Sequence, residues 1–455
     1  MRFEHRIQMD EEYPMMQMVP FCMREDNKEI SDDYEPKVVS LGPYHHGKEK
    51  LRFVEEYFKP MAVEMFVGDS GVGEHDCMTV ILEEIGYAKS CYLQEFAGKY
   101  SDEEFARMML RDACVILNYI GPTEGHVLYK QAQMIQRLGV VVYANIERDM
   151  YLLENQIPFR ILKMLVSLRY NGFDHGQRFV QHMENFFFRL FFYHTHIEEP
   201  NDTNNLGRKP LHLLEIIRRV VVTGLDYERM PRPYRCCDIS DFVSCLEYCC
   251  YRSKYDPIMR QSAGGRSVTD LKLKGIHFSA SGINSLKGVR FSPSTDFFLS
   301  ANLKLPSWDV TTYTRVFFMN MIAYEFSPYF FMRKSVTAYV RFMKDLVVSK
   351  EDLKELREKG IIINSLGDDE QVVQLFKALN TYKVEDATIY WVVKNDIEEH
   401  INSIPKTTMG ELIAELRTNY FNNHWSIIVF VATIFIICLN IVQTYYTIHP
   451  NDDKP

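Results

Sequence analysis

Apolar residues recur along most of this chain at intervals of three and four, the spacing of one helix face rather than of strand alternation. Leu51, Val54, Phe58, Met61 and Met65 make one such stripe, after the turn-like Gly42-Pro43 and Gly47. Ser101 and Glu104 form a capping box, and the helix they open presents Phe105, Met108, Met109, Asp112, Val115 and Ile116 on one side. The same period predicts helices around residues 179–193, 211–222, 241–251, 313–348 with a break at Pro328, and 369–379. Residues 271–305 differ, because there the polar and apolar positions alternate and Phe, Gly and Ser are frequent. That stretch predicts a small antiparallel sheet. Residues 201–210 and 260–267 have the composition of surface loops. No internal repeat and no low-complexity tract is present.

The longest apolar run is at the C-terminal end. Between Trp425 and Ile448 there is no charged residue, and from Ile427 to Leu439 only Thr433 interrupts the run. With about 1.5 Å of rise per residue, Trp425 to Tyr446 covers roughly 32 Å, enough for a hydrocarbon core of about 30 Å. Trp425 at one end and Tyr445 with Tyr446 at the other take the places of the aromatic belts. Residues 449–455 are too few to cover such a helix if it were a core element. The N-terminal residues are charged and broken by Pro14, unlike a secretory signal. The expectation is a tail-anchored, single-pass protein: an N-terminal segment (1–18), a helical globular domain (19–420), a transmembrane helix (425–448) and a short tail (449–455). Its body is expected in the cytosol, on the plasma membrane or an endomembrane. The predicted fold class is mainly α (α+β), with the small sheet as an insertion.

Composition supports a folded body, 46% hydrophobic and 25% charged over 455 residues. The net charge of -9 argues against a general nucleic-acid binder, which needs a clustered basic surface. The doublets Cys236-Cys237 and Cys249-Cys250, with Cys245 between them, form no CxxC pair and read as reduced thiols rather than a zinc site.

Three strings imitate catalytic or metal motifs. Gly42, Gly47 and Lys48 match a phosphate loop, but Glu49 replaces the hydroxyl residue and Pro43 removes a backbone donor. A tight turn entering a helix accounts for them. Gly68 to Gly71 resembles a serine-protease nucleophile loop, yet its flanks are helical rather than β. His194 and His196 stand at a predicted helix end, where histidine favours the dipole. No cofactor and no metal is implied.

Two polar features in apolar surroundings carry more information. Asp112 shares the buried helical face of its neighbours and must find a cation or donors. Glu154, Asn155 and Gln156 stand between two apolar stretches, with Pro158 near the start of the second helix. Asp112 and Glu154 are therefore the candidate catalytic carboxylates. The competing reading is a buried polar network that fixes how helices meet.

Several strings taken together resemble the plant-specific domain-of-unknown-function 247 family: residues 34–51, 108–117, 149–162, 212–219 and 269–278, followed by the terminal span with Gln443-Thr444. They occur in order over residues 19–448. The resemblance implies a mostly helical body held to a membrane by one C-terminal helix, in a plant, with no established catalytic residues. Some members of that family are associated with self-incompatibility in grasses and others with reproductive development. Residues 112–115 and 316–325 depart from the family's usual strings.

Two function classes follow. The first is a membrane-anchored recognition or signalling protein that binds an unidentified protein partner, possible homo-oligomerisation included. In it, Asn440, Gln443 and Thr444 lie at helical spacing, placed either to hydrogen-bond across a dimer or to reach lipid headgroups. The alternative is a membrane-tethered hydrolase or transferase using Asp112 or Glu154, which predicts a cleft where one of them faces solvent beside His, Cys or Ser. Asn201 heads the sole glycosylation sequon and would be modified if the body were lumenal.

Overall fold

Ser101 does what its spacing predicts. In this computed structural model the Glu104 N–H donates to Ser101 Oγ at 3.2 Å and the Ser101 N–H donates to Glu104 Oε2 at 2.9 Å, closing the capping box of the Asp102–Ile120 helix. The structure describes residues 15–25, 32–68, 71–121, 124–170, 173–191, 210–224, 265–283, 285–293, 301–327, 333–382, 389–403 and 424–448. From Asp112 to Ile120 every residue of that helix is buried, so it is enclosed on all sides rather than amphipathic there. Against it pack Lys59–Val67, Glu74–Glu83, Glu124–Leu138 and Phe159–Arg169.

The stripe from Leu51 to Met65 is real but is not one α-helix. It runs through a 3₁₀ turn (Glu49–Leu51), a π turn (Val54–Phe58) and the Lys59–Val67 helix, with Leu51, Val54, Phe58 and Met65 buried and Met61 half-buried. The other expected helices appear as Phe173–Phe191, Leu213–Thr223, Thr314–Glu325, Ser335–Leu346 and Asp369–Ala378. Thr314–Glu325 and Ser335–Leu346 lie on either side of Pro328. The expected helix at 241–251, all but the last residue of the loop at 201–210, most of that at 260–267, His194, His196 and Cys236 to Cys250 lie outside the described residues. One continuous apolar core runs from Met16 to Ile397.

The sheet near 271–305 is present but mixed. Its strands β1 (Ile276–Ala280), β2 (Arg290–Pro293) and β3 (Ala301–Leu305) lie in the order β1-β3-β2. Phe278 of β1 faces Leu303 in a parallel pair, whereas Phe291 of β2 faces Leu303 in an antiparallel pair. The alternation expected at Leu271 to Lys274 belongs instead to a short helix, Val268–Leu273, because Ser267 and Asp270 supply a capping box and Val268 and Leu271 bury at a spacing of three. A second sheet, unforeseen in the sequence, pairs β4 (Trp308–Val310) with β5 (Ile362–Asn364) in parallel.

Candidate functional site

Of the polar residues singled out in the sequence, Asp112 and Asn155 hold one strap of backbone, residues 33–48, together with Arg148 and Asp149. Asp149, at the end of the Val140–Met150 helix, accepts from the N–H groups of Lys37 at 3.0 Å, Val38 at 2.7 Å and Val39 at 3.0 Å. Arg148 donates from Nη1 to Asp149 Oδ1 at 2.7 Å and to Glu35 O at 3.0 Å, and from Nη2 to Asp32 O at 2.7 Å. Asn155 continues the series: Nδ2 donates to Val39 O at 3.0 Å and Oδ1 accepts from Leu41 N–H at 2.6 Å. Side chains here do for the strap what a neighbouring strand does in a sheet. Gln156 turns the other way, accepting from Leu214 N–H at 3.0 Å and donating to Met150 O at 2.9 Å and Leu152 O at 2.8 Å.

Asp112 completes the strap at Gly42. Its Oδ2 accepts from the Gly42 N–H at 2.7 Å, and its Oδ1 lies 2.5 Å from Lys59 Nζ. Burial pushes this carboxyl up, while Lys59 pulls it down. Lys59 also donates to Glu55 Oε1 at 2.7 Å and Ser40 Oγ at 3.2 Å. Gly42 has φ +80°, and a Cβ there would fall 2.8 Å from Tyr92 Oη and 2.9 Å from Gln156 O, so both conformation and space require glycine. Lys48, the lysine of the phosphate-loop imitation, is engaged by Glu35 Oε2 at 2.6 Å. The string is a turn.

Glu154 holds the N-terminal stretch. Its Oε1 accepts from Val19 N–H at 2.8 Å and its Oε2 from Arg24 Nη2 at 2.5 Å. His45 is buried beside it, with Nε2 at 3.6 Å from Oε2. Burial, and then Lys48, hold this imidazole down to about 3, so it is neutral. Lys48 Nζ lies 2.8 Å from His45 Nδ1 and can only donate, which assigns the ring proton to Nε2.

Arg148 and Asp149 were not singled out in the sequence, nor were three further buried polar residues with the same role. Asn320 accepts from Leu153 N–H at 2.9 Å and donates to Asp33 O at 2.8 Å. Glu325 accepts from Arg218 Nη2 at 2.7 Å and from the N–H groups of Val336 at 3.0 Å and Thr337 at 2.9 Å, capping the Ser335–Leu346 helix. His212 N-caps Leu213–Thr223, its Nδ1 accepting from Glu215 N–H at 3.3 Å, and burial holds it down to about 4. The available signal was the one that flagged Asp112, a polar residue inside an apolar helical run.

Chemically, the arrangement is one of satisfaction rather than reactivity. Asp112 and Glu154 are 0% and 3% exposed, and each of their oxygens has a donor or a cation. A cavity of about 50 Å³ lined by Arg266, Phe342, Asp345, Lys394, Ile397 and Glu398 contains neither. Burial keeps the Cys77 and Cys91 thiols protonated, pushed up to about 11 and about 12.

The second candidate site is the His424–Ile448 helix. Its Ile428–Tyr445 stretch has a mean hydropathy of 2.2 over 18 residues, is 0% buried and is long and apolar enough to cross a membrane. Asn440, Gln443 and Thr444 are all exposed on it. Thr444 Oγ1 donates to Asn440 O at 2.7 Å. Asn201 lies outside the described residues.

A family model described as a plant protein of unknown function, DUF247, matches residues 16–439. A UPF0481 protein of Arabidopsis thaliana is 25% identical over 433 residues, covering 92% of this chain and 84% of that protein. A second Arabidopsis thaliana protein of the UPF0481 group is 21% identical over 486 aligned residues, covering 91% of this chain and 87% of its own. No solved structure matches.

Proposed function

The chain belongs to the DUF247 family of plant proteins, and from that premise we propose that it is a membrane-anchored recognition or signalling protein whose helical body acts by binding another protein. The observation that carries this reading is the Ile428–Tyr445 stretch, apolar and 0% buried among the described residues. An exposed apolar helix of that length is stable where lipid or another protein covers it. The buried carboxylates support the reading from the other side, because Asp112 and Glu154 are consumed in holding the strap and the N-terminal stretch. A hydrolase or transferase would need one of them facing a solvent-filled cleft. We extend the proposal to reproductive recognition on the strength of the sequence resemblance to family members associated with self-incompatibility in grasses. The body is assigned to the cytosolic side of the plasma membrane or an endomembrane.

Expression in microsomes tests the topology. The full chain with an N-terminal tag should resist carbonate extraction, stay unglycosylated at Asn201 and lose its tag to added protease. A glycosylated, protease-protected body would reverse the topology and turn the search toward extracellular partners. Extraction by carbonate would remove the anchor itself.

A further inference from the structure

We propose that the partner of the C-terminal helix is a second copy of the same helix, joined in a parallel pair along a seam centred on Asn440. This rests on reading the helix as a membrane span and names what its polar face binds. The uncharged polar residues between Ser426 and Ile448 are Ser426, Thr433, Asn440, Gln443, Thr444 and Thr447, apart from the amphipathic Cys438 and tyrosines. Ser426, Thr433, Asn440 and Thr447 recur at every seventh position. A seven-residue repeat keeps one seam facing a partner when two helices supercoil left-handedly. With those four at position a of the heptad, Gln443 falls at d and Thr444 at the adjoining e. Position b is isoleucine throughout, at Ile427, Ile434, Ile441 and Ile448, and Cys438 falls at f, on the far side.

The threonine hydroxyls of this face are already committed. Thr433 Oγ1 donates to Val429 O at 2.8 Å, Thr444 Oγ1 to Asn440 O at 2.7 Å and Thr447 Oγ1 to Gln443 O at 2.7 Å. The side-chain amides of Asn440 and Gln443 have no partner among the described residues. At about 1.5 Å per residue, Asn440 lies about 5 Å from the midpoint of the Ile428–Tyr445 stretch, well inside a half-thickness of about 15 Å. Its short side chain does not reach the headgroups from there, and hydrocarbon offers no donor or acceptor.

An apolar seam alone gives little reason to associate in lipid, because lipid tails are equally apolar. The amides supply that reason. A primary amide carries both donors and an acceptor, so two copies of Asn440 facing each other across a two-fold axis satisfy one another. The helix carries no charged residue to select an oppositely charged partner. A lone asparagine at an a position also fixes register and favours two strands.

The test is energy transfer between full-length copies labelled at the N-terminus with donor or acceptor and reconstituted into phosphatidylcholine vesicles. Asn440→Leu should weaken association by roughly threefold to tenfold, and Asn440→Leu with Gln443→Leu further still. Asn440→Gln should retain most of it, and Cys438→Leu, on the far face, should leave it unchanged. The inference is overturned if the double variant associates like the parent or if Cys438→Leu weakens association equally. Carbonate extraction of the same vesicles separates the two failures. Protein that is stripped off defeats the membrane reading and the pairing with it, whereas protein that is retained with unaltered transfer defeats the pairing alone.

Discussion

Lys59 Nζ and Asp112 Oδ1 meet at 2.5 Å with 1% and 0% of their side chains exposed, an ion pair that also fixes Gly42 through the second carboxylate oxygen. Removing Lys59 strands the buried Asp112 carboxylate, whereas removing Asp112 leaves Lys59 paired with Glu55. Lys59→Met should cost about 3–5 kcal/mol, Asp112→Ala less, and the double variant Lys59→Met with Asp112→Leu less than the sum. Denaturant melts of the purified protein measure this, and strict additivity would show that the two residues do not act as a pair.

Glu154 should behave as a latch. Glu154→Gln keeps the acceptor for Val19 N–H but loses the charge facing Arg24, so the stretch from Met16 to Met23 should open more often. Charge-assisted bonds contribute about 1.5–3 kcal/mol, which corresponds to tenfold or more faster amide exchange at Val19 if local opening governs it. Exchange rates at Val19 identical to the parent would mean that core packing of Met16, Val19 and Met23 holds the stretch without Glu154.

Acid should destabilise the body in two stages. His212 and His45 have pKa values lowered by burial to about 4 and about 3 from 6.5, so the unfolded chain takes up their protons first. Their contribution is complete above pH 6.5 and is lost as pH falls toward 4 and 3. Glu55 follows: burial raises it, but bonds from His46, Lys59 and Ser40 with the Lys59 charge outweigh that and hold it at about 2. Its contribution is present above about 4.5 and is lost as pH falls toward 2. His212→Asn, which keeps an N-capping acceptor, should flatten the first stage of a Tm-against-pH curve between pH 6.5 and 4. An unchanged slope would remove His212 as its source.

Ending the chain before His424 should move the protein from the membrane pellet to the supernatant while leaving the melt of the body unaltered, since the Ile428–Tyr445 stretch is 0% buried. A pellet that keeps the truncated protein after carbonate treatment would locate another attachment.

The local features were legible in the sequence and the non-local ones were not. The Ser101 box, the face from Phe105 to Ile116 and the apolar terminal run are written within single stretches, and the structure reproduces them. The buried state of Asp112 and Glu154 was also readable, because polar residues stood on apolar faces. Their partners were not, since Gly42 and Val19 are 70 and 135 residues away and are met through backbone amides that have no sequence signature. The small sheet was legible but its pairing was not, for the same reason: β3 takes both neighbours, one parallel and one antiparallel, and pairing order does not show in alternation. β5 has three residues, too few to register a period.

The strap has a consequence for how the chain is made. Residues 37–41 find their hydrogen-bond partners on Asp149 and Asn155, 110 to 116 residues later. At roughly 5–20 residues per second, a ribosome takes about 5–20 seconds to supply them. Asn320, which clasps Asp33, comes 287 residues later. Until then water must serve the strap's amides, so this early segment is among the last to settle, and a nascent chain arrested before residue 149 leaves the N–H groups of Val39 and Leu41 without their partners.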